Sequence, residues 1–105
     1  MNSPTVSARE VALEVYLSIG EREVSQGHFG MATWYYLMAA QSAIEAKWDS
    51  QIRSALDGLL VCFKRTAKAS QWEKDMVLGF EPAISGELRT VYNQVKNEVQ
   101  KLPSG

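Results

Sequence analysis

The chain is poor in the residues that staple, interrupt or catalyse. Its 105 residues contain one cysteine, Cys62, so no internal disulfide can form. Cys62 sits in the apolar run Leu59-Leu60-Val61-Cys62-Phe63, where a reduced, buried thiol is expected. There is one histidine, His28, so neither an H-E-x-x-H helix nor a cysteine/histidine zinc cluster can be built, and no metal is expected. Proline is confined to Pro4, Pro82 and Pro103, which leaves residues 5–81 free of the strongest helix breaker. No apolar run approaches the ~20 residues of a spanning helix. A net charge of -1 provides no global field for nucleic acid or an acidic membrane.

Catalytic and targeting signatures are equally scarce. Gly27-x-x-Gly30 is too short for a phosphate loop and lacks its Lys-Ser/Thr ending. Glu21 with Glu23, and Glu45 with Asp49, have no histidine or metal constellation beside them and read as solvated faces. The start, Met1-Asn2-Ser3-Pro4, lacks the basic and apolar regions of a signal peptide. The expectation is a cytoplasmic protein that is not an enzyme, carries no cofactor and does not enter membranes.

What is present points to helices. Hydrophobic residues make up 46% and charged residues 22% of the chain, the balance of a globular domain. No stretch alternates like a half-buried strand over a useful length. The expected fold is all-α, a small bundle of four to five helices forming one domain, with mobile ends at 1–6 and 103–105. Ser7 and Glu10 have capping-box spacing, and the first helix follows with an apolar stripe at Val11, Ala12, Val15, Tyr16 and Ile19. Gly27 closes it as a left-handed cap. A second helix, from about Gly30 to Lys47, is expected at the centre of the core. It carries Ala32, Tyr35, Tyr36, Ala39, Ala43 and Ala46 on one face and Met31, Trp34 and Met38 on the next. Asp49 or Ser50 caps a third helix with the stripe Ile52, Leu56, Leu59, Leu60 and Phe63, reaching about Ala69. Ser70 and Glu73 repeat the capping-box spacing before a short fourth helix, Gln71 to Leu78. A last helix begins between Pro82 and Gly86 and carries Ile84, Leu88, Val91, Tyr92, Val95, Val99 and Leu102.

The first hairpin, 13–46, resembles a tetratricopeptide repeat, a 34-residue helix–turn–helix unit. Tyr16, Ile19 and Gly20 stand where the family has a bulky residue, a leucine-like residue and a glycine. Gly27 and Phe29 match its turn, and Ala32, Tyr36 and Ala39 match its second helix. The proline expected near the end of the unit is missing, and 34 residues further on Ser50, Arg53 and Ser54 do not repeat the pattern. The resemblance implies a peptide-facing surface at Glu14, Leu17, Glu21, Val24 and Ser25. Leu17 and Glu21 occupy positions where the family's carboxylate clamp carries basic and amide residues, so a mixed, acidic surface suited to a basic or amphipathic helical partner is implied instead.

Charge is unevenly spread. Residues 1–46 hold Arg9 and Arg22 against Glu10, Glu14, Glu21, Glu23 and Glu45. Residues 47–74 hold Lys47, Arg53, Lys64, Arg65, Lys68 and Lys74 against Asp49, Asp57 and Glu73. Lys64, Arg65, Lys68 and Lys74 read first as a favourable helix C-terminus and second as a contact for another copy or an acidic partner, while Arg53, Lys64, Arg65 and Lys68 form a candidate basic patch for nucleic acid. Trp34, Tyr35 and Tyr36 point about 100° apart in turn and cannot share one face, so either this helix is covered on several sides, the first reading for such a cluster, or one aromatic meets a partner, with Trp34 and Tyr35 the candidates. The leading expectation is a non-enzymatic protein-interaction module: an adaptor, chaperone-like cofactor or assembly factor. It is expected to bind a protein partner and to form a homodimer. The alternative is a small regulator touching nucleic acid through residues 53–68.

Overall fold

A computed structural model describes residues 8–104; Ser7 and the rest of the N-terminal lead lie outside the described residues. The described chain is all helical: α1 (Ala8–Ser25), α2 (Phe29–Ala46), α3 (Asp49–Arg65), α4 (Gln71–Gly79) and α5 (Leu88–Lys101), with a single 3₁₀ turn at Glu81–Ala83. α1 packs along α2, α2 along α3 and α3 against α5, while α4 crosses to touch α5 and α2. No helix is long and apolar enough to cross a membrane among the described residues.

The first two turns are built alike. After α1 the His28 N–H donates to the Glu23 carbonyl (2.8 Å) and the Gly27 N–H to the Val24 carbonyl (3.0 Å), with Gly27 at φ 79°. After α2 the Trp48 N–H donates to the Ala43 carbonyl (3.0 Å) and the Lys47 N–H to the Ile44 carbonyl (3.1 Å). Both are Schellman closures, which satisfy the last carbonyls of a helix through a left-handed residue. Gly27 adopts that conformation freely, whereas Lys47 adopts it at φ 60° against its own Cβ. This compact turn makes Trp48, not Asp49 or Ser50, the N-cap of α3, and no side chain caps it. α4 is different: the Ser70 hydroxyl accepts from the Glu73 N–H (3.1 Å) while the Ser70 N–H donates to the Glu73 carboxylate (2.7 Å).

The core lies between α2, α3 and α5. α2 contributes Ala32, Tyr36, Leu37, Ala39, Ala40 and Ala43, and its small residues let two neighbours approach at once. α3 adds Ile52, Ala55, Leu56, Leu59, Cys62 and Phe63; α5 adds Leu88, Val91, Tyr92, Val95 and Val99. Each fully buried leucine contributes roughly 1.5–3 kcal/mol relative to exposure. The Tyr92 hydroxyl donates to the Val77 carbonyl at 2.7 Å, tying α5 to α4. α5 begins at Leu88, later than the spacing suggested, because Glu81–Ala83 forms the 3₁₀ turn and Gly86 turns at φ 61°. Ile84 is buried ahead of the helix. Glu81 anchors this turn through Arg89 (3.1 Å) and Lys96 (3.2 Å), and those cations hold its carboxyl below the usual range, Lys96 most strongly. The Pro103 carbonyl accepts from the Ala69 N–H (3.1 Å), and Lys74 Nζ donates to the Ser104 hydroxyl (2.9 Å).

α1 departs from the stripe expected for it. Val11 and Val15 are 52% and 46% exposed, whereas Leu13 is fully buried and Leu17 and Val24 pack on the core. The cause is Gly20. It sits against the Tyr36 ring, on the side of α1 that Leu13 and Leu17 share, and the rotation that puts it there turns Leu13 inward and Val11 and Val15 outward.

Candidate partner-binding groove

Tyr36 is the pivot of the arrangement. It projects from α2 between α1 and α3, and its ring lies against two glycines. A Cβ built on Gly20 would meet the ring at 2.9–3.1 Å, and one built on Gly58 would overlap it. Two helices are thus spaced by one aromatic ring where neither has a side chain. From this pinch a groove runs toward the N-terminal halves of both helices. Its volume is about 290 Å³, with Glu14, Leu17, Ser18 and Glu21 on the α1 wall, Ser50, Gln51 and Ser54 on the α3 wall, and Tyr36 between them. Glu14 and Gln51 also border a second hollow of about 410 Å³, shared with Glu10, Val11, Val15 and Trp48. The two spaces form a path with a polar end and an apolar end.

The chemistry of this path is asymmetric. Its charged lining residues are glutamates, and neither lysine nor arginine contributes to it. The Tyr36 hydroxyl makes no hydrogen bond within the described residues. Burial, with Cys62 and the Glu21 carboxylate adding, pushes it up to about 12, so it stays protonated. The groove can offer carboxylates to a cation, a hydroxyl to a polar group and Val11, Val15 and Trp48 to an apolar side chain.

Of the residues proposed for partner contact, Glu14, Leu17 and Glu21 come together on the groove. Val24 is half-buried against the core and Ser25 turns its hydroxyl to the Arg22 carbonyl (2.7 Å); neither lines the groove. Trp34 and Tyr35 lie elsewhere. Tyr16 stacks with both, with centroids 6.3 Å from Trp34 and 6.4 Å from Tyr35, and Trp34 meets Tyr35 edge-on at 5.1 Å. Tyr16 is two residues from Glu14, about 200° around α1, so this aromatic cluster and the groove occupy different flanks of the helix. Trp34 is 44% and the neighbouring Met31 54% exposed.

The basic residues do not form one patch. Arg53 pairs with Asp57 (3.5 Å), and its position is about 16 Å along the axis from Lys64. The Arg65 guanidinium lies over the Phe29 ring, 5.8 Å from its centroid. Lys64 and Lys68 are exposed and make no ion pair among the described residues. His28 Nδ1 contacts the Glu23 carboxylate at 3.0 Å. Among the described residues no group of three or more His, Cys, Asp or Glu side chains converges to hold a metal. Burial raises the Cys62 thiol to about 11, which keeps it a thiol rather than a nucleophilic thiolate.

The α3 wall, Ser50, Gln51 and Ser54, was not anticipated from sequence. Its one available signal was Gly58, a mid-helix glycine of the same kind as Gly20. Comparison with family models, with curated proteins and with solved structures finds no match for the chain.

Proposed function

We propose that the protein is a non-enzymatic interaction module, an adaptor, chaperone-like cofactor or assembly factor, that holds a segment of a protein partner between α1 and α3. The observation that carries this is the acidic groove pinched at Tyr36. It is open, it has one apolar and one polar end, and the Tyr36 hydroxyl on it makes no hydrogen bond among the described residues. The tetratricopeptide-like reading of 13–46 supports it, because the family's peptide-facing positions include Glu14, Leu17 and Glu21. The outward cluster of Met31, Trp34 and Tyr35 is the second surface of the proposal, and a second copy of the chain is its occupant. A cytoplasmic setting fits a chain with one reduced, buried cysteine.

The test compares partners captured by the native protein with those captured by Ser54→Trp, which fills the groove from an exposed α3 position. The expected result is loss of the captured partner with unchanged helical content. Equal capture by both proteins would contradict the proposal.

A further inference from the structure

The charges lining the groove allow its occupant to be described chemically, given that the groove is the partner site. We infer that the occupant is a cationic amphipathic polypeptide segment, with an aliphatic side chain against Val11, Val15 and Trp48 and lysine or arginine side chains between Glu14, Glu21 and the Tyr36 hydroxyl.

Three observations lead there. First, Glu14 and Glu21 stand on the α1 wall seven residues apart, two helical turns or roughly 10 Å. That separation suits two cations on consecutive turns of a ligand rather than one. Second, no basic side chain stands on the opposite wall, since Ser50, Gln51 and Ser54 are uncharged and the basic residue of that helix end, Arg53, lines a neighbouring cleft with Asp49, Glu87 and Leu88. An acidic ligand would meet like charge along the whole α1 wall. The positive end of α1 does not reverse this, because helix-end fields fade within the first turn and both glutamates lie beyond it, and the positive end of α3, at Ser50 and Gln51, is offset by the Asp49 carboxylate in the same turn. Third, Val11 and Val15 are exposed aliphatic residues beside the half-buried Trp48, at the end of the path away from Tyr36. A purely hydrophilic cation, such as a polyamine, leaves that end uncovered. An amphipathic segment covers both ends at once.

The probes are three fluorescein-labelled synthetic peptides of one length and one amphipathic leucine spacing, carrying lysine, glutamine or glutamate on the polar face. Anisotropy is expected to report binding of the lysine peptide, about tenfold or more weaker binding of the glutamine peptide and none of the glutamate peptide. Paired charge reversals separate groove from bulk attraction. Glu14→Lys with Glu21→Lys is expected to weaken lysine-peptide binding about tenfold or more, whereas Glu45→Lys with Glu98→Lys, an equal charge change elsewhere, leaves it nearly unchanged. Val15→Ser is expected to weaken it a few-fold through the apolar end. Equal losses from the two paired reversals, or comparable binding of the glutamate peptide, would overturn the inference. Failure here is distinguishable from failure of the groove itself. A native partner lost with Ser54→Trp but lacking a basic amphipathic segment refutes the ligand chemistry alone, and a partner kept by Ser54→Trp refutes both.

Discussion

The ring of Tyr36 occupies the space that a side chain at Gly58 would need. With Gly20 of α1 also against the ring, Tyr36 stands between α1 and α3 at the head of the groove. The Gly20 contact on the other side of the ring is looser, with a built Cβ at 2.9 Å from its nearest ring atom. The two glycines differ in how much an added methyl disturbs, and both would press on the same ring.

Gly58→Ala is expected to destabilise the fold by about 1–3 kcal/mol through overpacking, even though alanine favours the helix by ~1 kcal/mol. Gly20→Ala should cost less. Tyr36→Leu in the Gly58→Ala background should recover part of the loss, because it removes the group that clashes. Urea unfolding of the two single variants and the double variant measures the coupling. Simple additivity would mean that Tyr36 and Gly58 do not share this space.

Lys47 offers a change in the opposite direction. It holds the left-handed position that Gly27 holds in the preceding turn. Lys47→Gly should raise stability by up to about 1 kcal/mol, seen as a few degrees in Tm. A drop in Tm would show that the lysine side chain contributes more than its backbone strain costs.

Alkaline pH should weaken the protein in a particular window. Burial raises Tyr36 and Tyr92 from 10.0 to about 12 and Cys62 from 9.0 to about 11. Groups whose pKa is higher folded than unfolded favour folding fully below the unfolded value and lose that contribution as pH climbs through the folded one. Stability should therefore be insensitive to these groups up to about pH 8, then fall from about pH 9 to 12. Unfolding at stepped pH tests this, and Tyr92→Phe should flatten part of the decline. Tyr92→Phe should also cost about 0.5–1.5 kcal/mol at neutral pH by removing the hydrogen bond to Val77.

The aromatic cluster on the other flank of α1 makes a separate claim. If a second copy covers Met31, Trp34 and Tyr35, then Trp34→Glu should shift the protein toward monomer in sedimentation equilibrium without unfolding it. A native protein that sediments as a monomer at every concentration removes the dimer from the proposal.

Much of the fold was legible because its signals are local. The α4 capping box follows from Ser70 and Glu73, the first turn from Gly27, and the α5 stripe from Leu88, Val91, Tyr92, Val95 and Val99. α1 was legible as a helix but not in its rotation. It is apolar on two sides, and periodicity cannot choose between Val11–Val15 and Leu13–Leu17 without knowing that Tyr36 comes from another helix to meet Gly20. Lys47 gave no turn signal because lysine rarely adopts a left-handed conformation. Half of the groove was visible, Glu14, Leu17 and Glu21, because it lies on one helix. The other half, Ser50, Gln51 and Ser54, belongs to the site through the packing of α3 on α2, including the contact of Tyr36 with Gly58, which joins residues distant in sequence.

Site-specific photocrosslinking puts the groove itself to the test. A benzophenone amino acid placed at Ser18, which lines the groove, should capture the protein partner in cells, while the same group at Gln100, exposed on α5, should not. Ser54→Trp combined with the Ser18 crosslinker should abolish the adduct. Crosslinking that is equal at both positions, or that persists with Ser54→Trp, would show that the partner sits elsewhere and that the groove is not the interaction site.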